Sequence, residues 1–292
     1  GPSPCSCLGK LMERVVLPLC TAEFDTLDIT PDHQAAFRRR RSTHEHLTVF
    51  TDTVTKLNRD TIAVALLLDV SKAFNSVWHE RLLVQLHAKG LPLHMIRFLA
   101  SWLSDRQCAT RIDGAISAFL PHTRGVPQGS VLSPLLFNAY FSSALEGIDG
   151  LPLLYADDAA IIITAPRSEL TSALQRMQQN AAIVHSWCVD HAFRLNAGKC
   201  KLLVFARNRE IQRNSASGVR SMEVQGTQVH TSPYARYLGV WFDPAMTFRH
   251  HCTTVLSKCS RRAGLILRLG GHVWGCPPQC MIRLFRAVIS SK

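Results

Sequence analysis

Apolar residues recur along this chain in two rhythms, one of helices and one of strands. Leu11, Val15 and Leu19 fall at helical spacing within residues 8–24, and Pro18 predicts a break there. Ser42 or Thr43 is placed to cap a helix carrying Leu47, Phe50, Val54 and Leu57. Residues 61–70 are β-branched and leucine-rich with no polar face, which predicts a buried central strand stopping at Asp69. Two helices follow, one on Leu82, Leu83 and Leu86 that ends at Gly90, one on Ile96, Leu99, Trp102 and Leu103. Asp113-Gly114 then predicts a hairpin between 108–112 and 115–120.

The second half repeats both rhythms. Ser133-Pro134 opens a helix through Leu136, Phe137, Tyr140, Phe141 and Leu145. Strands at 151–156 and 159–164 pinch around Asp157-Asp158. Ser168 begins a long amphipathic helix (Leu170, Leu174, Met177, Ala181, Val184, Trp187). Residues 201–205 and 222–229 read as strands, and 234–243 holds a tight turn near Gly239. Phe248, Cys252, Val255, Cys259, Ala263 and Ile266 stripe a last long helix closed by Gly270-Gly271, whose other face is basic. Pro277-Pro278 starts one more. Helices and hairpins without strict βα alternation argue an α+β fold.

Composition narrows the partners. The 292 residues are 47% hydrophobic and 18% charged, enough for a core and too apolar for a disordered chain. Lys and Arg exceed Asp and Glu to a net charge of +12, which favours a polyanionic partner. No apolar run approaches the about 20 residues that cross a bilayer, and no secretory signal is visible, so the expected location is intracellular, nuclear or cytoplasmic. The ten cysteines are scattered and read as reduced thiols. His250, His251, Cys252, Cys259, Cys276 and Cys280 fit no zinc-ligand spacing and read as a helix face.

Tyr155-Ala156-Asp157-Asp158 is the costly feature. Adjacent carboxylates between two apolar strands point to opposite faces and repel each other, although an acidic pair is most often a plain polar turn. Divalent Mg²⁺ takes oxygen ligands and removes that cost. Asp69 ends another apolar strand. If the two strands are neighbours, three carboxylates converge, the donor set of a two-metal site for in-line phosphoryl transfer.

The order of blocks decides between the two. Residues 68–77 (LDVSKAFNSV), 125–137 (GVPQGSVLSPLLF), the YADD at 155–158, LNAGK at 195–199, YLGV at 237–240 and the arginine block at 34–43 together resemble the reverse transcriptase of non-LTR retrotransposons. The likeness runs over nearly the whole chain, and 125–137 fits this group better than group II intron or telomerase polymerases. It implies right-hand polymerase architecture, with an antiparallel palm sheet, helical fingers and a helical thumb. Asp69, Asp157 and Asp158 are implied as catalytic metal ligands, with the Val70 carbonyl as a further oxygen, for two Mg²⁺ ions that Mn²⁺ can replace. Phe74 is implied as a gate under the sugar, Gln128 and Gly129 as pocket lining, and Arg38, Arg41 and Lys199 as triphosphate contacts. Tyr237, Leu238 and Gly239 resemble the primer grip. Lys258, Arg261 and Arg262 lie on the basic helix face and read as phosphate contacts.

The same resemblance divides the chain. Fingers are expected at 1–60 and 79–124, palm at 61–78 and 125–245, and thumb at 246–292, with both ends cut within a subdomain. Its implied partners are an RNA template, a DNA primer and deoxynucleoside triphosphates, with no membrane. Asn75 stands where relatives commonly have Asp, and Ala36 and Arg40 where they often have Gly. Those departures keep a second expectation open, a silent nucleic-acid-binding relic.

Overall fold

In a computed structural model, residues 7–216, 218, 220–269 and 275–290 are described. The chain opens with α1 (Cys7–Thr26) and α2 (Thr43–Thr55), then strands β1 (Thr61–Leu68) and β2 (Val70–Ser71). Three helices follow, α3 (Ala73–Ser76), α4 (His79–Ala88) and α5 (Leu93–Leu103). An exposed arm nests the inner pair β4 (Arg111–Ile112) and β5 (Ala115–Ile116) inside β3 (Gln107–Cys108) and β6 (Leu120–Pro121). Next come α6 (Ser133–Phe141), β7 (Leu151–Tyr155), β8 (Asp158–Pro166) and α7 (Leu170–Asp190). After these lie β9 (Arg194–Leu195), β10 (Lys201–Ala206), α8 (Arg209–Ala216), and the hairpin β11 (Ser221–Val224) and β12 (Thr227–His230). The hairpin β13 (Ala235–Tyr237) and β14 (Val240–Phe242) leads to α9 (Arg249–Leu267) and α10 (Pro278–Phe285).

One antiparallel sheet, in the order β10-β1-β8-β7, organises these pieces. β1 has a partner on both edges, and its residues 62–68 are all buried, because both faces of the sheet are covered. Alternation sends Ile62, Val64, Leu66, Ile161 and Ile163 into a large core with α4, α6 and α7. It sends Ala63, Ala65, Leu67, Ala160 and Ile162 into a second core with Phe50, Phe205, Tyr237 and Phe242. The Phe50 ring lies 5.8, 5.6 and 4.5 Å from those of Phe205, Tyr237 and Phe242. Each such pair adds about 0.5–1.5 kcal/mol beyond area burial. That second core fastens α2 and the β13–β14 hairpin to one face of the sheet.

Several expectations need correction. Pro18 does not break α1, which continues to Thr26. The apolar run at 61–70 is two strands, because the chain leaves the sheet at Asp69 and β2 turns to pair with β9. The stretch 222–229 is a hairpin, since Gln225 and Gly226 both take positive φ and reverse the chain. α8 was not foreseen from the apolar spacing. Of the stripe expected on α9, Ile266 alone is buried and Cys252 is exposed, because that helix touches little beyond β14, α10 and the turn at 286–290. Gly270 and Gly271 lie outside the described residues.

Candidate active site

β1 and β8 pair in a register that sets Leu68 against Ala159, so the next step along both strands sets Asp69 against Asp158. β8 is joined to β7 through a two-residue turn, Ala156-Asp157, closed by the Tyr155–Asp158 pair. The three acidic residues therefore share one end of the sheet. By alternation, Asp69 and Asp158 point toward the face that carries the second core.

The turn is held from below. Ala156 has φ +57°, a left-handed conformation uncommon for alanine. The fully buried Gln34 clamps it: Gln34 Oε1 accepts from the Ala156 N–H at 3.0 Å, and its Nε2 donates to the Ala156 carbonyl at 3.4 Å. The backbone on either side of Gln34 also pairs with Leu154 (2.7 and 3.0 Å). The arginine block and the acidic turn are thus one structural unit. Gln34 opens the block at 34–43, but a glutamine in a loop carries no apolar signal that assigns it this role.

Asp69 is framed by the 195–199 block. The Asn196 N–H donates to the Asp69 carbonyl at 2.8 Å, and Lys199 Nζ stands 3.7 Å from Asp69 Oδ2. Val70 pairs with Leu195. The Asp158 carboxyl is held above the usual carboxylate range, first by the protein packed around it, then by the charges of Asp157 and Asp69; Arg236 opposes the shift. Solvent still reaches Asp158, so the two like charges are the part of the cause that a cation would cancel. Among the described residues, no three His, Cys, Asp or Glu side chains stand close enough to hold a metal ion as they are. The donor set nevertheless fits a hard divalent ion: carboxylate oxygens, mutually repelling, open to solvent, at one sheet end.

That repulsion has a measurable consequence. A carboxyl raised in the folded chain contributes stability that is whole below the ordinary carboxylate range and is lost as pH rises through the raised value. At neutral pH the ionised Asp158 opposes folding. Asp158→Asn is expected to raise the metal-free melting temperature by a few degrees at pH 7 and not at pH 3, as read by calorimetry. An unchanged or lower melting point at pH 7 counts against mutual repulsion at this end of the sheet.

The loop 125–130 rests on α3. Gly125 N donates to the Val77 carbonyl (2.7 Å) and Val126 N to that of Phe74 (2.9 Å). Gly125 has φ +84°, and a Cβ there would sit 2.8 Å from Asn75 Cα, so only glycine permits this approach. Gln128 and Gly129 are exposed at the crown, and Gln128 Nε2 donates to Asn75 Oδ1 at 3.4 Å. Asn75, one of the three expected departures from the family pattern, is therefore a neighbour of this loop. The Phe74 ring stacks on Phe137 (4.2 Å, 11°) and meets the edge of Phe37 at 6.3 Å.

Other site candidates divide. Arg38 and Arg41 are the partly buried members of the four-arginine run, and Arg39 and Arg40 are exposed. Arg38 Nη1 donates to the Pro31 and Gln34 carbonyls (3.0 and 3.3 Å), and Arg41 pairs with Asp32 and Glu45 (2.5 and 2.7 Å). Tyr237 is a core residue, 3% exposed, with its hydroxyl 3.4 Å from His46 Nδ1. Only Leu238 and Gly239, both at positive φ in the β13–β14 turn, are presented at the hairpin tip. On α9, Lys258 and Arg261 are exposed, whereas Arg262 donates to the Val288 carbonyl at 3.0 Å. No helix among the described residues is long and apolar enough to cross a membrane.

The family model described as reverse transcriptase (RNA-dependent DNA polymerase) matches residues 2–242. The RNA-directed DNA polymerase from mobile element jockey of Drosophila melanogaster is 28% identical, over 97% of this chain and 31% of its own length. The probable RNA-directed DNA polymerase from transposon X-element of the same organism is 29% identical, over 91% of this chain and 28% of its own. The chain thus spans about a third of the length of these relatives. Among solved structures, apo telomerase from Candida tropicalis, truncated from its C-terminal domain, superposes with a TM-score of 0.54 at 12% identity, covering 80% of this chain and 44% of that one. That likeness carries the fold: a polymerase right hand of mixed helix and antiparallel sheet.

Proposed function

The chain belongs to the reverse transcriptase family of non-LTR mobile elements, and from that premise we propose that it adds deoxynucleotides to a primer 3′-hydroxyl on an RNA template. The observation that carries this reading is the β1–β8 register, which brings Asp69 to the end of the sheet where Asp157 and Asp158 sit.

Asp69 and Asp157, with the Val70 carbonyl and Asp158 in support, are the residues that would hold divalent cations; such ions supply activation of the attacking hydroxyl and neutralisation of the leaving oxygen. The chain's own part is positioning and charge. Phe74 lies under the sugar and excludes a 2′-hydroxyl. Gln128 and Gly129 line the nucleotide pocket at the crown of their loop. Lys199 steadies the departing pyrophosphate. Arg38, whose Nη1 stands 3.6 Å from Asp32 Oδ1, and Arg41 exchange Asp32 for triphosphate oxygens, a forked pairing that guanidinium groups make well. Leu238 and Gly239 press on the primer end, and Lys258, Arg261 and Arg262 follow backbone phosphates of the hybrid. In this reading, 1–60 and 79–124 are fingers, 61–78 and 125–245 palm, and 246–292 thumb.

The test is primer extension: oligo(dT) annealed to poly(rA), thymidine triphosphate and Mg²⁺. The expected result is a ladder of extended primer that vanishes with chelator. Binding of the duplex with no extension in Mg²⁺ or Mn²⁺ favours the silent relic, for which the Ala36 and Arg40 departures are the motive.

A further inference from the structure

Glu13 is 4% exposed, a charged residue placed inside the protein on α1, and no motif draws attention to it. Its Oε2 accepts hydrogen bonds from Ser130 Oγ at 2.7 Å and from the Val131 N–H at 2.6 Å. Its Oε1 accepts from the Trp102 indole at 3.1 Å. All three contacts are donors, which suits the acceptor-only chemistry of a carboxylate. Ser130 is itself buried, and its Oγ also accepts from the Leu132 N–H at 3.2 Å. The carboxylate therefore stands at the N-terminal end of α6, where backbone N–H groups favour negative charge.

The loop between β6 and α6 has two anchors. Upstream, Gly125 and Val126 are tied to Val77 and Phe74, and His79 Nε2 lies 2.7 Å from the Gly125 carbonyl. Downstream, Ser133 Oγ donates to the Pro127 carbonyl at 2.7 Å, and Ser130 and Val131 are tied to Glu13. Gln128 and Gly129 span the gap, exposed, with Gly129 at φ +90°. A crown held at both feet presents one shape. Loss of one foot lets Gln128 and Gly129 sample others, and a nucleotide must then select the competent one.

We infer that Glu13 is a positioning residue for nucleotide binding: through Ser130 and Val131 it fixes the 127–131 loop in the shape that receives the incoming deoxynucleotide. This rests on the polymerase reading above and extends it to a residue on a different element.

Glu13→Gln keeps the size and turns one acceptor oxygen into a donor, so at least one of the three donors faces a donor whichever way the amide lies: Trp102 in one orientation, Ser130 and Val131 in the other. In primer extension, the expected result is a KM for the deoxynucleotide raised about tenfold, the worth of one charge-assisted hydrogen bond. The turnover number changes much less, and affinity for primer–template stays the same. Ser130→Ala is expected to raise KM in the same sense, and the double variant to lose less than the two singles combined. Amide hydrogen exchange supplies a second readout: peptides covering 127–133 exchange faster in Glu13→Gln, while those from β1 and β8 keep their protection. If the variants extend primers with the wild-type KM, or if protection falls across the sheet with KM unchanged, Glu13 is a structural tie only and the inference is overturned. If the wild type fails to extend any primer, the polymerase reading fails, and this inference with it.

Discussion

Asp157→Ala is expected to reduce nucleotide incorporation at least about a thousandfold while leaving the fold and template binding in place. The reasons are positional. Asp157 is exposed at the tip of a two-residue turn, so its side chain contributes nothing to either core. The turn itself is kept by Gln34 on Ala156, which the substitution does not touch. A melting temperature close to that of the wild type is therefore expected, together with an unchanged affinity for the hybrid, which is proposed to rest on phosphate contacts elsewhere. Asp69→Ala is expected to abolish incorporation as well, although it also frees Lys199 from its 3.7 Å pairing. Incorporation by Asp157→Ala at the wild-type rate would reject the assigned chemistry outright.

The second large effect is one of selectivity. Phe74→Ala is expected to shrink the preference for deoxynucleotides over ribonucleotides by about a hundredfold, measured as the ratio of kcat/KM values. The Phe137 ring stacked on Phe74 and the Phe37 ring beside it restrict the directions in which the Phe74 ring can turn. Were Phe74 a packing residue only, its removal would cost stability and leave the ratio alone. Phe74→Leu separates the two, because it retains apolar volume without a flat ring. Unchanged selectivity in both variants would remove Phe74 from the substrate pocket.

What could be read from residues alone follows the strength of each local signal. The run at 61–68 and the pair of strands around Asp157 were plain, because an apolar segment of that length bounded by acidic residues leaves few options. The exchange of partners at Asp69 was not, since Val70 continues the apolar run and only the pairing with Leu195 reveals the turn away. Tyr237 was expected at the primer and is a core residue, because a tyrosine beside a turn reads alike whether its ring points inward or out. The clamping role of Gln34, although it lies in the 34–43 block, and that of Glu13 carry no local signal for a shared reason. A buried polar residue is identified by its partners, and those partners lie 89 to 122 positions away in sequence. The stripe on α9 erred the opposite way, since helical spacing of apolar residues does not guarantee a surface to cover them.

Three carboxylates from two strand ends are proposed to gather paired cations. Anomalous scattering from Mn²⁺ in crystals of the chain with primer–template and a non-reactive deoxynucleotide analogue tests this most directly. The predicted result is two peaks about 3.5–4 Å apart between Asp69 and Asp157, with Lys199 released from Asp69 toward the phosphates. Peaks that avoid these carboxylates, with Asp69 still paired to Lys199 in the presence of bound nucleotide, would contradict it.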